Sequence, residues 1–305
     1  MSVQRVYVSL ATLLALQGER LPDWMRRVAY LLVDSRCNAS CTYCWLPRGV
    51  AKLARVPWHP VKLGTLLSKV HIFERVCIQT VIKPGIADRV VELVEMLKRY
   101  GASRVSVAIG SASPALLKRL HEAGVDVIGV GLDAASERIA RLTRRPYSLA
   151  QYMRTIRDAV KIYGESRVYA HVIVGLGESA KTLVHLLDKL YAMGARAALF
   201  AYTPLDGKGK PPRLCYYRGA QVYKQLLEEG LDPLDYIEPG EGQYWILKRV
   251  PELGIVRRAV KTSGCPPCNR PFYTESPRGP LYNIPWEPSV AEARQALHEL
   301  LECGA

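Results

Sequence analysis

Three cysteines lie close together near the start of the chain, in the order Cys37-Asn-Ala-Ser-Cys41-Thr-Tyr-Cys44. Three thiolates at this spacing can bind three irons of a cubane iron–sulfur cluster, because each iron is tetrahedral and takes one cysteine sulfur. The fourth iron then has no protein ligand. It keeps an open position for a small chelating molecule, as a catalytic zinc does. The spacing therefore predicts a redox-active metal centre with an open site.

A zinc site, or three unrelated buried cysteines, would also account for this group. Zinc sites usually combine two pairs of ligands, whereas this group contains three cysteines. Asn38-Ala39-Ser40 matches a glycosylation sequon, but a glycan is incompatible with a loop that binds a cluster. We therefore interpret Cys37, Cys41 and Cys44 as iron–sulfur ligands.

A second cysteine group lies near the other end of the chain. Cys265-Pro-Pro-Cys268 is a closely spaced pair in a proline-rich region, and Cys215 precedes it. Together they could hold an auxiliary iron–sulfur cluster, with Cys303, Ser276 or an arginine as the fourth ligand. A zinc knuckle, a redox disulfide and free thiols stay open as alternatives.

The middle of the chain alternates apolar segments of strand length with amphipathic segments of helix length. Strands are predicted at residues 28–33, 76–80, 105–109, 125–130, 168–174 and 197–202. Parallel strands need helical crossovers, so this pattern predicts a parallel sheet in an α/β fold, either a partial (β/α)6 barrel or an open doubly wound sheet. Its chemistry should gather at the carboxyl ends of the strands. Cys77, inside the second strand, is interpreted as a core residue.

The composition changes after Pro204, where glycine, proline and lysine become frequent. We therefore predict an N-terminal helical segment at 1–27, a barrel at 28–205 and an irregular C-terminal extension at 206–305. The extension should contain helices near 219–229 and 290–302. The first 17 residues imitate a secretory signal but lack a cleavage site, and we interpret them as a helix packed on the body.

The chain carries 42 Lys and Arg against 28 Asp and Glu, a formal charge of +14. Such a surface attracts nucleic acid, an acidic protein or an anionic ligand. The basic stretch 138–145 could face nucleic acid, although a helix face with a turn is the interpretation we prefer. No apolar run reaches the roughly 18 residues that a membrane span needs. A cytoplasmic protein is expected.

The triplet, with Tyr43 before its third cysteine, resembles the signature of the radical S-adenosylmethionine (SAM) enzymes. This resemblance extends over residues 28–205 and implies a partial (β/α)6 barrel of TIM type with a 4Fe–4S cluster. It implies that SAM chelates the open iron and is cleaved to a 5′-deoxyadenosyl radical, which removes hydrogen from an unactivated C–H bond.

Further segments are similar to the nucleoside-binding motifs of this family. The segment 173–178 (IVGLGE) is similar to an adenine-contacting segment, and Asp133 to an acidic ribose-contacting position of biotin-synthase-like members. The resemblance implies that the nucleoside is bound by Tyr43, Asp133, Ile173, Gly175 and Glu178.

Two departures accompany this similarity. His171 stands where the family pattern has glycine, and Gln79-Thr80 stands where a Gly-Gly-Glu motif often holds the amino group of SAM. The segments 129–134 and 175–180 also fit a loose dinucleotide-binding pattern. A nicotinamide enzyme would leave the cysteine loop unexplained, and the glycines are better interpreted as allowing close approach of a nucleoside.

Residues 264–273 and 279–285 are similar to the C-terminal region of archaeal two-component lipoyl synthases, in which two related proteins each insert one sulfur. This resemblance implies a sulfurtransferase that acts at C6 or C8 of a protein-bound octanoyl chain, with an auxiliary cluster as sulfur donor. The implied partners are an acidic lipoyl carrier protein or octanoyl-lysine peptide, a paralogous synthase and a low-potential electron donor such as a ferredoxin.

Three other functions stay open. The first is a biotin-synthase-like or other radical SAM enzyme acting on a small molecule. The second is a radical SAM enzyme that modifies tRNA, which the absence of a separate RNA-binding domain in the sequence disfavours. The third is a module that binds zinc or iron–sulfur for structure alone.

Overall fold

The computed structural model describes residues 5–205, 207 and 209–302. Its main sheet consists of β1 (Arg5–Ser9), β2 (Val28–Leu32), β3 (Lys52–Leu53), β4 (Val56–Lys62), β5 (Arg75–Gln79), β6 (Val105–Ile109), β7 (Val127–Asp133), β8 (Val168–Val174) and β9 (Arg196–Ala201). These strands pair in the order β3-β4-β1-β2-β5-β6-β7-β8-β9.

The helices lie before, between and after these strands. They are α1 (Leu10–Gln17), α2 (Asp23–Arg26), α3 (Leu63–Leu67), α4 (Ile86–Arg99), α5 (Pro114–Glu122), α6 (Glu137–Leu142), α7 (Leu149–Tyr163), α8 (Ala180–Ala192), α9 (Leu214–Glu228), α10 (Leu253–Val260) and α11 (Val290–Leu301). A small hairpin is formed by β10 (Ile237–Pro239) and β11 (Trp245–Leu247).

The six predicted strands are present and parallel, which confirms the partial (β/α)6 barrel. β2 pairs with β5, and β5 to β9 then pair in chain order. Continuous apolar runs form these strands because a parallel sheet is covered on both faces. The longest crossover helix, α7, begins where Ser148 and Gln151 form a reciprocal capping box.

The helix predicted over the first 17 residues begins only at Leu10, and residues 1–4 lie outside the described residues. The segment before it is β1, which pairs antiparallel with both β2 and β4. Val6 and Val8 are fully buried, an alternation typical of a strand. Ser9 then accepts a hydrogen bond from the Thr12 amide at 3.3 Å and starts the helix.

The C-terminal region is more regular than the extension predicted from its glycines and prolines. α9 packs against α8, α10 and α11. Its Tyr216, Tyr217 and Tyr223 are fully buried and belong to the main core. The buried guanidinium of Arg218 donates to Glu299 at 2.7 Å, which joins α9 to α11. This region therefore shares one core with the barrel. None of the helices in the described ranges is long and apolar enough to cross a membrane.

Gly219 lies in α9 where the helix contacts the indole of Trp245. That indole donates to the Tyr216 carbonyl at 2.9 Å, and a Cβ at position 219 would overlap its ring. We predict that Gly219→Ala lowers the free energy of unfolding by about 1–3 kcal/mol through overpacking, although alanine favours helix.

Gly64→Ala in α3 is the matched control, because a Cβ there meets open space. Thermal midpoints measured by circular dichroism should fall for Gly219→Ala and stay the same or rise for Gly64→Ala. Equal midpoints in the two variants would contradict this account of the α9 packing.

Candidate active site

The parallel strands enclose a cavity of about 550 Å³. Alternate residues of each strand face inward, and the cavity lining follows this alternation along β5, β7 and β8. The central inward positions carry small residues, which leave room for a ligand. These positions are Ala108, Gly131 and Ala198.

The three cysteines of the first group line one end of this cavity. Their loop follows β2 and is tied to the segment after β5, where the Asn38 amide donates to the Ile82 carbonyl at 2.8 Å. In return the Ile82 amide donates to the Cys37 Sγ at 3.3 Å. All three thiols are free. The fold therefore brings Cys37, Cys41 and Cys44 together, as their spacing predicts.

The chemistry of these thiols fits an iron–sulfur cluster. Burial raises the pKa of Cys41, and burial together with the neighbouring thiols raises the pKa of Cys44 to about 12. Protein groups alone therefore do not hold the Cys41 and Cys44 sulfurs as thiolates, whereas metal ligation requires the thiolate form. Iron supplies the positive charge that makes this donor set favourable.

A buried ion pair lies beside the cysteine loop. Arg145 Nη1 contacts Asp133 Oδ2 at 2.9 Å and donates to Cys41 Sγ at 3.4 Å. The same carboxylate accepts from the Tyr43 hydroxyl at 2.7 Å, and Arg145 also donates to the Tyr152 hydroxyl at 2.6 Å. Asp133 has φ +60°, at an irregularity in the pairing of β7 with β8. Arg145 and Asp133 thus connect Cys41 to Tyr43 in one network of hydrogen bonds and ion pairs.

Arg145 is a site residue that sequence reasoning missed. It ends the basic stretch 138–145, in which Arg138 and Arg141 are exposed on α6. The chain turns inward after this helix, and the Arg145 side chain is 9% exposed. The proline at 146 is the one signal of this turn in the sequence.

The other predicted nucleoside contacts divide into two sets. Ile173, like Tyr43 and Asp133, lines the cavity, whereas Gly175 and Glu178 are not part of its described lining. Glu178 is 3% exposed, and its Oε1 accepts from the Gly175 amide at 2.6 Å and the Tyr216 hydroxyl at 3.1 Å. Burial raises the pKa of this carboxyl. The Glu178 side chain thus stabilises the loop after β8, and its contact with the nucleoside stays a prediction.

The structure brings together a different set of cysteines from the second group predicted from the sequence. Cys265 and Cys268 line the cavity. Cys77 is a buried residue of the main core, as predicted, and it also lines the cavity. Cys215 lies on α9, is disulfide-bonded and is not part of the described lining. A disulfide sulfur offers no thiolate, so the structure separates Cys215 from the other two. Cys303, the proposed fourth ligand, lies outside the described residues.

A sequence model of the radical SAM superfamily matches residues 32–190, more than half of the chain. The chain belongs to this superfamily. Membership implies a 4Fe–4S cluster and SAM, and the loop with Cys37, Cys41 and Cys44 offers three free thiols for that cluster. This protein is therefore a radical SAM enzyme. No curated protein sequence matches it significantly.

Solved structures support the fold. Methylornithine synthase (PylB) is 15% identical, with a TM-score of 0.51 over 73% of this chain and 77% of that protein. HydG, a maturase of the FeFe-hydrogenase, is 13% identical, with a TM-score of 0.53 over 77% of this chain and 55% of that protein. HydG from Carboxydothermus hydrogenoformans is 14% identical, with a TM-score of 0.50 over 72% of this chain and 63% of that protein. At such identities the likeness concerns the fold alone.

The contact between Arg145 and Cys41 predicts an effect on the cluster's redox potential. Arg145→Met removes a cation and a hydrogen bond to a ligand sulfur, both of which favour the reduced cluster. We expect a more negative reduction potential in a titration followed by electron paramagnetic resonance. Arg141→Met changes an exposed arginine of the same stretch and should leave the potential unchanged. Equal potentials in the two variants would show that Arg145 does not tune the cluster.

His171 faces the cavity, and its imidazole fills the space over Gly129. Burial, and the charge of Arg270, lower its pKa to about 4. In the unfolded chain the His171 side chain has its ordinary pKa near 6.5, so between pH 6.5 and pH 4 it is protonated in the unfolded state and neutral in the folded state. The free energy of unfolding therefore falls as the pH drops from about 6.5 towards 4.

We predict that His171→Gln loses less stability than the unchanged protein between pH 7 and pH 5, by roughly 2 kcal/mol. Chemical unfolding at the two pH values measures this difference. The exposed His71→Gln provides the comparison. An unchanged pH dependence in His171→Gln would mean that the folded protein accepts a proton at this position.

Proposed function

We propose that this radical SAM enzyme inserts sulfur into an unactivated C–H bond, as one component of a lipoyl synthase. Its substrate is an octanoyl chain on a lysine of a carrier protein, and its product carries sulfur at C6 or C8. The proposal goes beyond the superfamily, whose members share the nucleoside radical and differ in the reaction that this radical starts.

The observation that supports this proposal is the presence of two cysteine groups on one cavity. The loop cysteines follow β2 at the carboxyl edge of the sheet, while Cys265 and Cys268 line the same cavity from the C-terminal region. Cys77 lies two residues before the end of β5, about 7 Å below that edge along the strand. A substrate between the two groups would face a radical source on one side and thiol sulfur on the other.

When bound, the clusters and SAM would supply a means of removing hydrogen from an unactivated C–H bond, and sulfur at the oxidation level of sulfide. The chain's own residues position and shield these reactants. Tyr43, Asp133 and Ile173 line the end beside the loop. The inward Phe200 and Tyr273 form an aromatic contact, with ring centroids 5.6 Å apart, that covers part of the cavity wall with apolar surface.

The lining suits a thin apolar chain. Small inward residues leave a channel, and the aromatic contact of Phe200 with Tyr273 provides apolar surface along part of its wall, with the Arg270 guanidinium against the Phe200 ring. Burial of apolar surface then supplies the binding energy of an acyl chain, at about 0.8 kcal/mol per methylene.

The positive surface suits an acidic carrier domain. Trp45 directly follows Cys44, and the cations of Arg48 and Lys52 lie 5.8 and 5.1 Å from its ring centre. These groups place positive charge beside the cysteine loop, and the whole chain has a charge of +14. A chain with this excess of positive charge attracts an acidic domain over a long range. A paralogous synthase and a ferredoxin-like electron donor complete the proposed set of partners.

The proposed function is tested with the full chain under anaerobic conditions. The protein is reconstituted with iron and sulfide of a heavy sulfur isotope, reduced, and given SAM with an octanoyl-lysine carrier peptide. We predict a singly thiolated peptide that carries the heavy isotope, together with 5′-deoxyadenosine, by mass spectrometry.

Dethiobiotin and bulk tRNA serve as parallel substrates. Thiolation of either in preference to the peptide would replace lipoyl synthesis by the corresponding alternative. If 5′-deoxyadenosine forms but none of the three acquires sulfur, with and without a candidate partner synthase, the proposal of sulfur insertion fails.

A further inference from the structure

Three neighbouring strands place one polar or thiol side chain each on the floor of the cavity. Tyr30 of β2 is the direct partner of Cys77 of β5, and Cys77 is the direct partner of Ser106 of β6. Directly paired residues project on the same face of a sheet. All three line the cavity, so they form a row in which the Cys77 thiol is flanked by two hydroxyl groups.

The Cys265–Cys268 hairpin lies over this row. Cys265 Sγ contacts Ser106 Oγ at 3.6 Å, at one end of the row. Cys268 Sγ contacts the Tyr30 hydroxyl at 3.7 Å, at the other end. The Cys268 amide donates to the Cys265 carbonyl at 2.6 Å, which keeps the hairpin tight. Because Cys77 lies between the two contacted residues, the three sulfurs converge on one space.

Barrel residues fix the hairpin in this position. Arg75, which is 2% exposed, donates to the Pro266 carbonyl at 2.7 Å and forms two hydrogen bonds with Asp126, each of 2.7 Å. The Tyr30 hydroxyl donates to Asn269 Oδ1 at 3.0 Å and accepts from the Arg270 amide at 2.8 Å. The sulfurs are thus held by contacts independent of any metal, which is the arrangement of a preformed ligand site.

Hydrogen-bond donors surround the three sulfurs. Gln79 Nε2 donates to Cys77 Sγ at 3.2 Å. Arg270 lines the cavity, and its buried Nε and Nη1 have no partner among the described residues. Buried donors without acceptors are costly, and an anionic group in the cavity would satisfy them. The surroundings therefore match the negative charge of thiolate-bound iron and sulfide.

We infer that Cys77, Cys265 and Cys268 hold a second iron–sulfur cluster on the floor of the cavity, and that Cys215 takes no part in it. The role of this cluster as sulfur donor rests on the proposed function, whereas the ligand set rests on the contacts of the hairpin with the strand row.

A cluster fits this group better than a single metal ion. Within the described ranges, no three cysteine, histidine or acidic side chains are arranged to hold one ion. The same is true of Cys37, Cys41 and Cys44, whose ligand role follows from the superfamily. Cysteines of a cubane each bind a different iron, so their sulfurs surround a larger volume than the ligands of one zinc do.

The test compares Cys77→Ala with Cys215→Ser in the full chain, reconstituted anaerobically. We predict that Cys77→Ala loses about half of its iron and labile sulfide, as expected when one of two cubanes is lost. Cys215→Ser should keep both in full. The remaining cluster of Cys77→Ala should still change its electron paramagnetic resonance spectrum when SAM is added, which shows that the barrel is folded.

A second series keeps the test decisive if Cys77→Ala is unstable. Replacing Cys37, Cys41 and Cys44 by alanine should leave only the floor cluster, and adding Cys77→Ser should remove it. Full iron in Cys77→Ala with a folded barrel, half-loss in Cys215→Ser, zinc in the unchanged protein, or a Cys265–Cys268 disulfide in its place would each overturn the inference. Iron content decides this ligand set, while the thiolated peptide separately decides the proposed function.

Discussion

The parallel pairing of six strands is the constraint on which the rest of this structure depends. It directs every carboxyl end to one edge, so the cysteine loop after β2 must lie over the mouth of the barrel. It also places paired residues on a common face, which brings Cys77 between Tyr30 and Ser106. Parallel pairing therefore positions the cysteine loop at the mouth of the cavity and Cys77 deeper in the same cavity.

Buried charges in this barrel position other groups. Arg145 and Asp133 connect the cysteine loop to β7, and Arg75 connects β5 to the Cys265–Cys268 hairpin. Removing such charges from water costs free energy that their attraction only partly returns. Their contribution lies in orientation, since each arginine also holds a group at the cavity: Cys41 in one case and the Pro266 carbonyl in the other.

The strands were predictable because continuous apolar runs have few other solutions in a chain of this size. The loop cysteines were predictable because their spacing is itself the signal. The first strand was not, since Val6 also fits a helix face together with Leu10, Leu13 and Leu14. Cys77 was also hidden: an apolar strand that lines a cavity has the same sequence as one that packs on a helix. Arg145 looked like its surface neighbours until the chain turned inward.

Proximity in sequence was misleading for Cys215. It lies nearer to Cys265 along the chain than Cys77 does, but α9 carries it into the helical layer. The long-range contacts of the hairpin instead reach back to β2, β5 and β6. Which cysteines meet is decided by strand register, and register is a property of the folded sheet.

The most direct test is an anomalous difference map at the iron absorption edge, from crystals grown without oxygen. The account predicts two iron peaks at opposite ends of the cavity, one beside Cys41 and one beside Cys77. A single peak at the loop, with Cys265 and Cys268 bound to no metal or to zinc, would contradict it.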